Sequence, residues 1–332
     1  GSRVLGLARD ILIFAALGAS AWNDAFILAF TLPNLFRRLL GEGALTSALV
    51  PVLTEVRKRG GRAAAFIVLN QVFVRLLALL LLLLAVGMLI LLGLGHSAWL
   101  CERWKLGVEL ALVLLPYMVF ICTAAVVTAG LNVLGRFAVA ACTPMLLNLA
   151  MIVSLLAGMG WSGEPARMVY WLCAGVLFGG VCQLALPAWD LRCQGWRARA
   201  DTRRSPELNE LWQLFVPGLI GAAILQVNIL VSRLLAYGLD ESAVSVLYLA
   251  SRLMELPLGI FTVAVATVFF PLLARAVAAE DHSAFARDLT QGLRLVVGIS
   301  LPAGVGLWVL GQPILELLFH WGAFNTQNIV QT

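Results

Sequence analysis

The stretch AFIVLNQVFVRLLALLLLLLAVGMLILLGLG, residues 65–95, decides the fold. It carries one charge, Arg75, and exceeds the roughly 20 apolar residues that a helix needs to cross a bilayer. Apolar residues follow one another without alternation, which fits a helix and not a half-buried strand. Similar runs recur on both sides of it. The chain of 332 residues is 61% hydrophobic and 12% charged, whereas a soluble domain carries about 25% charged residues. The composition implies an all-α polytopic membrane protein.

Nine spans are expected, over 4–20, 25–50, 64–94, 107–134, 140–160, 167–189, 209–237, 243–277 and 286–319. All 23 cations except Lys58 and Lys105 are arginine. They collect in alternate connections: Arg57, Lys58, Arg59 and Arg62; Arg136; Arg192, Arg197, Arg199, Arg203 and Arg204; Arg275 and Arg287. The intervening connections hold only Arg103, Lys105 and Arg167. Cationic loops stay on the cytoplasmic side, so this pattern puts the N-terminus in the cytoplasm. No soluble basic domain is present to hold a nucleic acid. The six cysteines (101, 122, 142, 173, 182 and 193) lack ligand spacing, and neither a disulfide framework nor a metal or cofactor site is expected.

A repeat is visible at an offset of 220 residues. Leu5 falls on Leu225, Gly18 on Gly238, Pro51 on Pro271 and Gln71 on Gln291. Six spans separate the copies, so both keep one orientation, as in transporters built from parallel repeats around a central site. The expected architecture is two parallel pseudo-symmetric helical bundles around a central cavity. An N-terminal lobe covers 1–207 with six spans, and a C-terminal lobe covers 208–332 with three. The second bundle is expected to be truncated.

Charges inside the spans raise the functional question, because a cation at bilayer depth costs about 2.5–3.5 kcal/mol on insertion scales. In TLPNLFRRLLGEGALTSALVP, residues 31–51, Arg37, Arg38 and Glu42 stand in apolar surroundings. At helical spacing Asp24, Thr31, Arg38 and Glu42 lie within about 40° of one another. Asn34, Arg37 and Gly41 form the adjoining stripe. Pro33 frees a backbone carbonyl, which a wet cavity tolerates and lipid does not. In the second copy Tyr248, Arg252, Glu255 and Gly259 make a matching stripe. For Arg75 and Arg233 snorkelling to the interface is the expected role. For Arg9, Arg37, Arg38 and Arg252 it is a polar lumen. Guanidinium stays charged and pairs bidentately with phosphate oxygens, so the lumen suits a pyrophosphate head, with the carboxylates as resting counter-ions. The chain has no GxxxxGK[ST] loop, HExxH sequence or Ser/His/Asp arrangement, so an enzyme is not expected. Movement would draw on an ion gradient, the membrane potential or the passenger's own gradient.

Four segments carry a family resemblance: SRVLGLARD (2–10), NDAFILAFTLPNLFRRLLGEGALTSALVPVLTE (23–55), GRFAVAACTPMLLNLAMI (135–152) and YLASRLMELPLGIF (248–261). They resemble the MurJ/MviN family of bacterial lipid II flippases, within the multidrug/oligosaccharidyl-lipid/polysaccharide exporter superfamily. The resemblance covers essentially the whole chain, and members usually have fourteen spans. It implies a protein of the bacterial cytoplasmic (inner) membrane. Its passenger would be lipid II, the undecaprenyl-pyrophosphate-linked peptidoglycan precursor, carried to the outer leaflet by alternating access. Membrane lipids and other peptidoglycan-synthesis proteins are the further partners expected. The family's important arginines match Arg3, Arg9, Arg37 and Arg252, and its acidic residues match Asp24 and Glu42. Together with Arg38, Asn34 and Glu255 these form the expected substrate-binding set. In the seventh span only Asn228 and Ser232 precede Asp240, where some relatives have an acidic sodium ligand. The alternatives are an exporter of another polyprenyl-linked glycan and a non-transporting scaffold for peptidoglycan synthesis.

Overall fold

The computed structural model describes all residues except 1, 42–43, 98, 162, 204, 258, 260–262, 326–327 and 330–331. Among the described residues there is no β-strand. The chain runs through α1 (Ser2–Leu17), α2 (Ala21–Phe36), a π-turn (Arg37–Gly41), α3 (Ala44–Gly95), α4 (Glu102–Leu114), α5 (Tyr117–Val133) and α6 (Phe137–Trp161). It continues through α7 (Pro165–Cys193), α8 (Pro206–Leu239), α9 (Ala243–Pro257), α10 (Val263–Ala278) and α11 (His282–Phe319).

The expected spans fall on helices, with 107–134 divided between α4 and α5, 243–277 between α9 and α10, and both 25–50 and 64–94 reaching into α3. Pro116 separates α4 from α5, because it offers no N–H to continue the ladder of α4. The connection expected at 57–62 is different. Helix continues through Gly60, and only Gly61 departs, at φ 74° and ψ −169°. Gly populates this left-handed region without a Cβ penalty, so one residue turns the chain where a loop was expected. Six stretches are long and apolar enough to cross a membrane by length and composition. Helices α1, α9 and α10 have only 15 or 16 residues. At about 1.5 Å per residue they fall short of a ~30 Å hydrocarbon core.

The internal repeat appears in the order of elements. Helices α2 and α9 begin at Ala21 and Ala243, α3 and α10 at Ala44 and Val263. The part of α3 beyond Gly61 corresponds to α11, which begins at His282. The two copies meet where α2 packs on α8 and α9, α3 on α8, and α1 on α11. One apolar layer joins both copies through Phe14, Leu17, Phe26, Tyr237, Leu249 and Phe319. A second gathers Leu49, Leu69, Val126, Val127 and Leu191 with Leu208 of α8. Leu82, Leu89 and Ile90 of α3 stand exposed, as a lipid-facing surface requires.

Candidate functional site: an arginine-lined cavity between two bundles

Helix α1 sets the depth of the site. Arg3 stands at its start, Arg9 and Asp10 near its middle, and Phe14 and Leu17 at its far end. At helical rise Arg3 and Arg9 are about 9 Å apart along the axis. A cavity of about 540 Å³ opens beside this helix, within the range of about 300–1,000 Å³ usual for ligand sites. Phe14, Phe26, Leu147 and Met151 of the first apolar layer line part of it.

Asp10, 1% exposed, is the hub. Its Oδ1 accepts from Arg9 Nε at 3.0 Å, from Arg9 Nη2 at 2.6 Å and from the Tyr248 hydroxyl at 3.1 Å. Its Oδ2 accepts from Arg252 Nε at 3.0 Å. One carboxylate thus joins an arginine from each copy of the repeat. Arg9 Nη1 also donates to Asn148 Oδ1 at 2.9 Å. Arg252 Nη1 donates to Glu255 Oε2 at 3.1 Å. Gly6 lies beneath Arg252, and a Cβ there would stand 3.1 Å from Nη2. Arg3 reaches across to the second copy and donates to the Gly259 carbonyl at 2.8 Å.

Helix α2 brings the next two cations. Pro33 lies inside α2, and the π-turn follows at Arg37–Gly41. Such local widenings of a helix recur at functional sites. Both Arg37 and Arg38 line the cavity, although an ordinary helix would set them about 100° apart. Arg37 Nε donates to Asn34 Oδ1 at 2.7 Å, and Asn34 also lines the cavity.

Arg233 departs from the snorkelling expectation. It lines the cavity from α8 and donates to Thr31 Oγ1 of α2 at 2.6 Å. Its guanidinium carbon lies 5.5 Å from the Tyr248 ring centroid. Thr31 gives its own proton to the Ile27 carbonyl, so its oxygen is free to accept from Arg233. Arg75 does leave the core: it donates to the carbonyls of Thr202 and Arg203.

Asp24 occupies a different place from the other expected residues. It is fully buried and does not line the cavity. Its Oδ1 accepts from the backbone N–H of Ser245 at 2.8 Å and from the Ser245 hydroxyl. Its Oδ2 accepts from Arg103 Nη2 at 3.1 Å. Arg103 also donates to the Asp240 carbonyl and lies 4.5 Å over the Tyr237 ring. Beside this cluster the Ala323 N–H donates to the Ala15 carbonyl at 2.9 Å. Gly18, at φ 63°, leaves room where a Cβ would stand 2.7 Å from the Ala323 carbonyl oxygen. Ion pair, hydroxyl and backbone together join the two copies at one end of the cavity.

Of the expected set, Arg3, Arg9, Asn34, Arg37, Arg38, Arg252 and Glu255 share this cavity. Glu42 lies outside the described residues. Six arginines line the cavity against the carboxylates of Asp10 and Glu255 among the described residues, so the lining is strongly cationic. Asp10, Asn148 and Arg233 were absent from the expected set. Asn148 was detectable as a polar residue in the apolar run PMLLNLAM. Asp10 was obscured because adjacent helical residues do not face each other, yet the long Arg9 side chain folds back to it.

The family model described as lipid II flippase MurJ matches residues 13–332. A probable lipid II flippase MurJ from Rhizobium tropici is 35% identical over 338 residues, covering 99% of this chain and 63% of that protein. The chain thus spans just under two thirds of the length of curated relatives it matches. A solved structure titled lipid II flippase MurJ, inward closed conformation, superposes with a TM-score of 0.80 at 26% identity, over 99% of this chain and 68% of the other. An inward-facing multidrug resistance MATE family transporter of the MOP superfamily gives 0.72 at 15% identity, over 99% and 74%, and shares the fold. The chain belongs to the lipid II flippase MurJ family.

Proposed function

We propose that this chain carries the substrate-binding cavity of a lipid II flippase, which moves the undecaprenyl-pyrophosphate-linked peptidoglycan precursor to the outer leaflet by alternating access. One observation carries the reading: arginines from both copies of the repeat converge on a single cavity. Arg9 and Arg252 exchange Asp10 for the pyrophosphate. Arg37, Arg38 and Arg233 add donors from α2 and α8, Arg3 guards the entry, and Asn34 and Glu255 hold neighbouring guanidinium groups. Asp24 acts away from the anion, as part of the closure with Ser245 and Arg103. The arginine-rich connections share one face, supported by contacts of Arg57 with the Val133 carbonyl and of Arg136 with Asp190. That face is cytoplasmic in this reading, as is the N-terminus, and the closed end faces outward. Other peptidoglycan-synthesis proteins are natural partners of such a carrier.

The test is binding of lipid II to the purified, detergent-solubilised chain. A charge-assisted hydrogen bond contributes about 1.5–3 kcal/mol, or roughly 10–150-fold in affinity. Arg9→Ala, Arg252→Ala and Arg233→Gln should each weaken binding to that degree. Arg75→Gln, outside the cavity, should leave it unchanged. Unaltered binding in all three cavity variants would refute the reading. Undecaprenyl pyrophosphate without its glycan tests whether the diphosphate is the recognised part.

A further inference from the structure

A second site lies on the arginine-rich face and shares no lining residue with the central cavity. It is a trough of about 770 Å³ between α3, α5 and α7. Phe73, Val127, Leu184, Ala188 and Trp196 form an apolar floor. Arg192, Arg197 and Arg199 form its rim.

The trough is a built feature, because the chain after α7 is fixed onto α3. Trp196 is 3% exposed, packs edge-on to Phe73 at 5.9 Å, and donates through Nε1 to Asn70 Oδ1 at 3.0 Å. Asn70 Nδ2 donates to the Arg197 carbonyl at 3.0 Å. Gln71 donates to Asp201, and Arg75 to the carbonyls of Thr202 and Arg203. The backbone of the rim is therefore held, while its three guanidinium groups have neither a hydrogen-bond nor a carboxylate partner among the described residues. Free cations above an apolar floor, between membrane helices, are the recognition chemistry of an anionic lipid headgroup with its acyl chain below.

We propose that this trough binds an anionic glycerophospholipid of the bilayer, with the phosphate on Arg192, Arg197 and Arg199 and an acyl chain over Ala188 and Phe73. Two features favour a resident bilayer lipid over the passenger. The trough lies within the first bundle, and the passenger's cavity is lined chiefly by α1, α2, α6, α8 and α9, with Gln183 of α7 as the point where the two sites share a helix. The site is independent of the flippase reading.

The experiment is native mass spectrometry of the detergent-solubilised chain, titrated separately with phosphatidylglycerol, phosphatidylcholine and undecaprenyl pyrophosphate. Phosphatidylglycerol should bind at least tenfold tighter than phosphatidylcholine. The triple variant Arg192→Gln/Arg197→Gln/Arg199→Gln should lose that preference and leave undecaprenyl pyrophosphate binding unchanged. Ala188→Phe, which fills the floor and keeps every charge, should weaken phosphatidylglycerol at least tenfold. The charge-matched variant Lys58→Gln/Arg59→Gln/Arg62→Gln should retain wild-type binding. The exposed arginines can be replaced without disturbing the core, so the triple variant remains informative if Ala188→Phe misfolds. Equal loss in both triple variants would reduce the effect to diffuse surface charge and overturn the proposal. So would an unchanged preference in the rim variant, or a rim variant that loses undecaprenyl pyrophosphate.

Discussion

Asp10 accepts four hydrogen bonds from three side chains, drawn from both halves of the repeat. Removing one partner of a buried ion pair leaves the other charges uncompensated, at about 3–5 kcal/mol. Arg9 and Arg252 keep some exposure, so Asp10→Asn should cost about 3 kcal/mol at most, read as a lowered thermal midpoint of the purified protein. Gly6→Ala should behave in the opposite way. Its Cβ meets the flexible end of Arg252 at 3.1 Å and makes ordinary contact with Asn148 Nδ2 at 3.7 Å, so the thermal midpoint should hold while lipid II binding weakens as the guanidinium is pushed off Asp10. Residue types pointed to arginines in a lumen, and the lumen contains them. They could not indicate that Arg233 joins it, because a lone arginine in an apolar run reads equally well as a snorkelling one. What distinguishes it is Thr31, 202 positions away in the chain.

At the scale of elements, the interruptions of α2 matter more than its length. Pro33 and the π-turn change the facing of the last turns, and this brings Arg37 and Arg38 into one cavity. Helical-wheel spacing had put Arg38, and not Arg37, on the stripe of Asp24. That wheel assumes a uniform helix, which fails after Pro33. The other end of α2 joins the two copies, the contact proposed above as the closure. Ser20 caps the helix by accepting from the Asn23 N–H at 3.4 Å, and Asp24 in the first turn reaches Ser245 and Arg103. Asp24→Asn should weaken this closure. With Asn148→Cys as a reporter inside the cavity, a membrane-impermeant maleimide applied from the closed face should react several-fold faster than in the Asp24 parent. Peptide mapping separates that adduct from those on the exposed Cys101, Cys142 and Cys193. No change in rate would mean that Asp24 does not hold the closure.

The whole molecule is a multi-pass protein of the bacterial inner membrane, and its two-copy plan was legible from Pro51 on Pro271 and from the parallel charge pattern. The contact between copies was not legible, since it depends on backbone geometry at small residues. Gly18 and Gly322 both adopt positive φ where α1 meets the chain after α11. Ala at Gly18 would collide with backbone, not with a yielding side chain. Gly18→Ala should therefore move the molecule toward a state open at that end, seen as a longer spin-label distance between the ends of α1 and α11. An unchanged distance distribution would show that the glycine merely fills the turn.

In the flippase proposed above, the carboxylate shared by Arg9 and Arg252 would bear on the return stroke. Two like charges about 4 Å apart at an effective dielectric constant near 20 repel by about 4 kcal/mol. A carrier that released its cargo with nothing to separate them would be driven apart along the seam between its halves. Asp10, held between Arg9 and Arg252, offsets part of that repulsion while the site is empty. In such a flippase, that shared carboxylate would take the cargo's place between the two cations during the empty return.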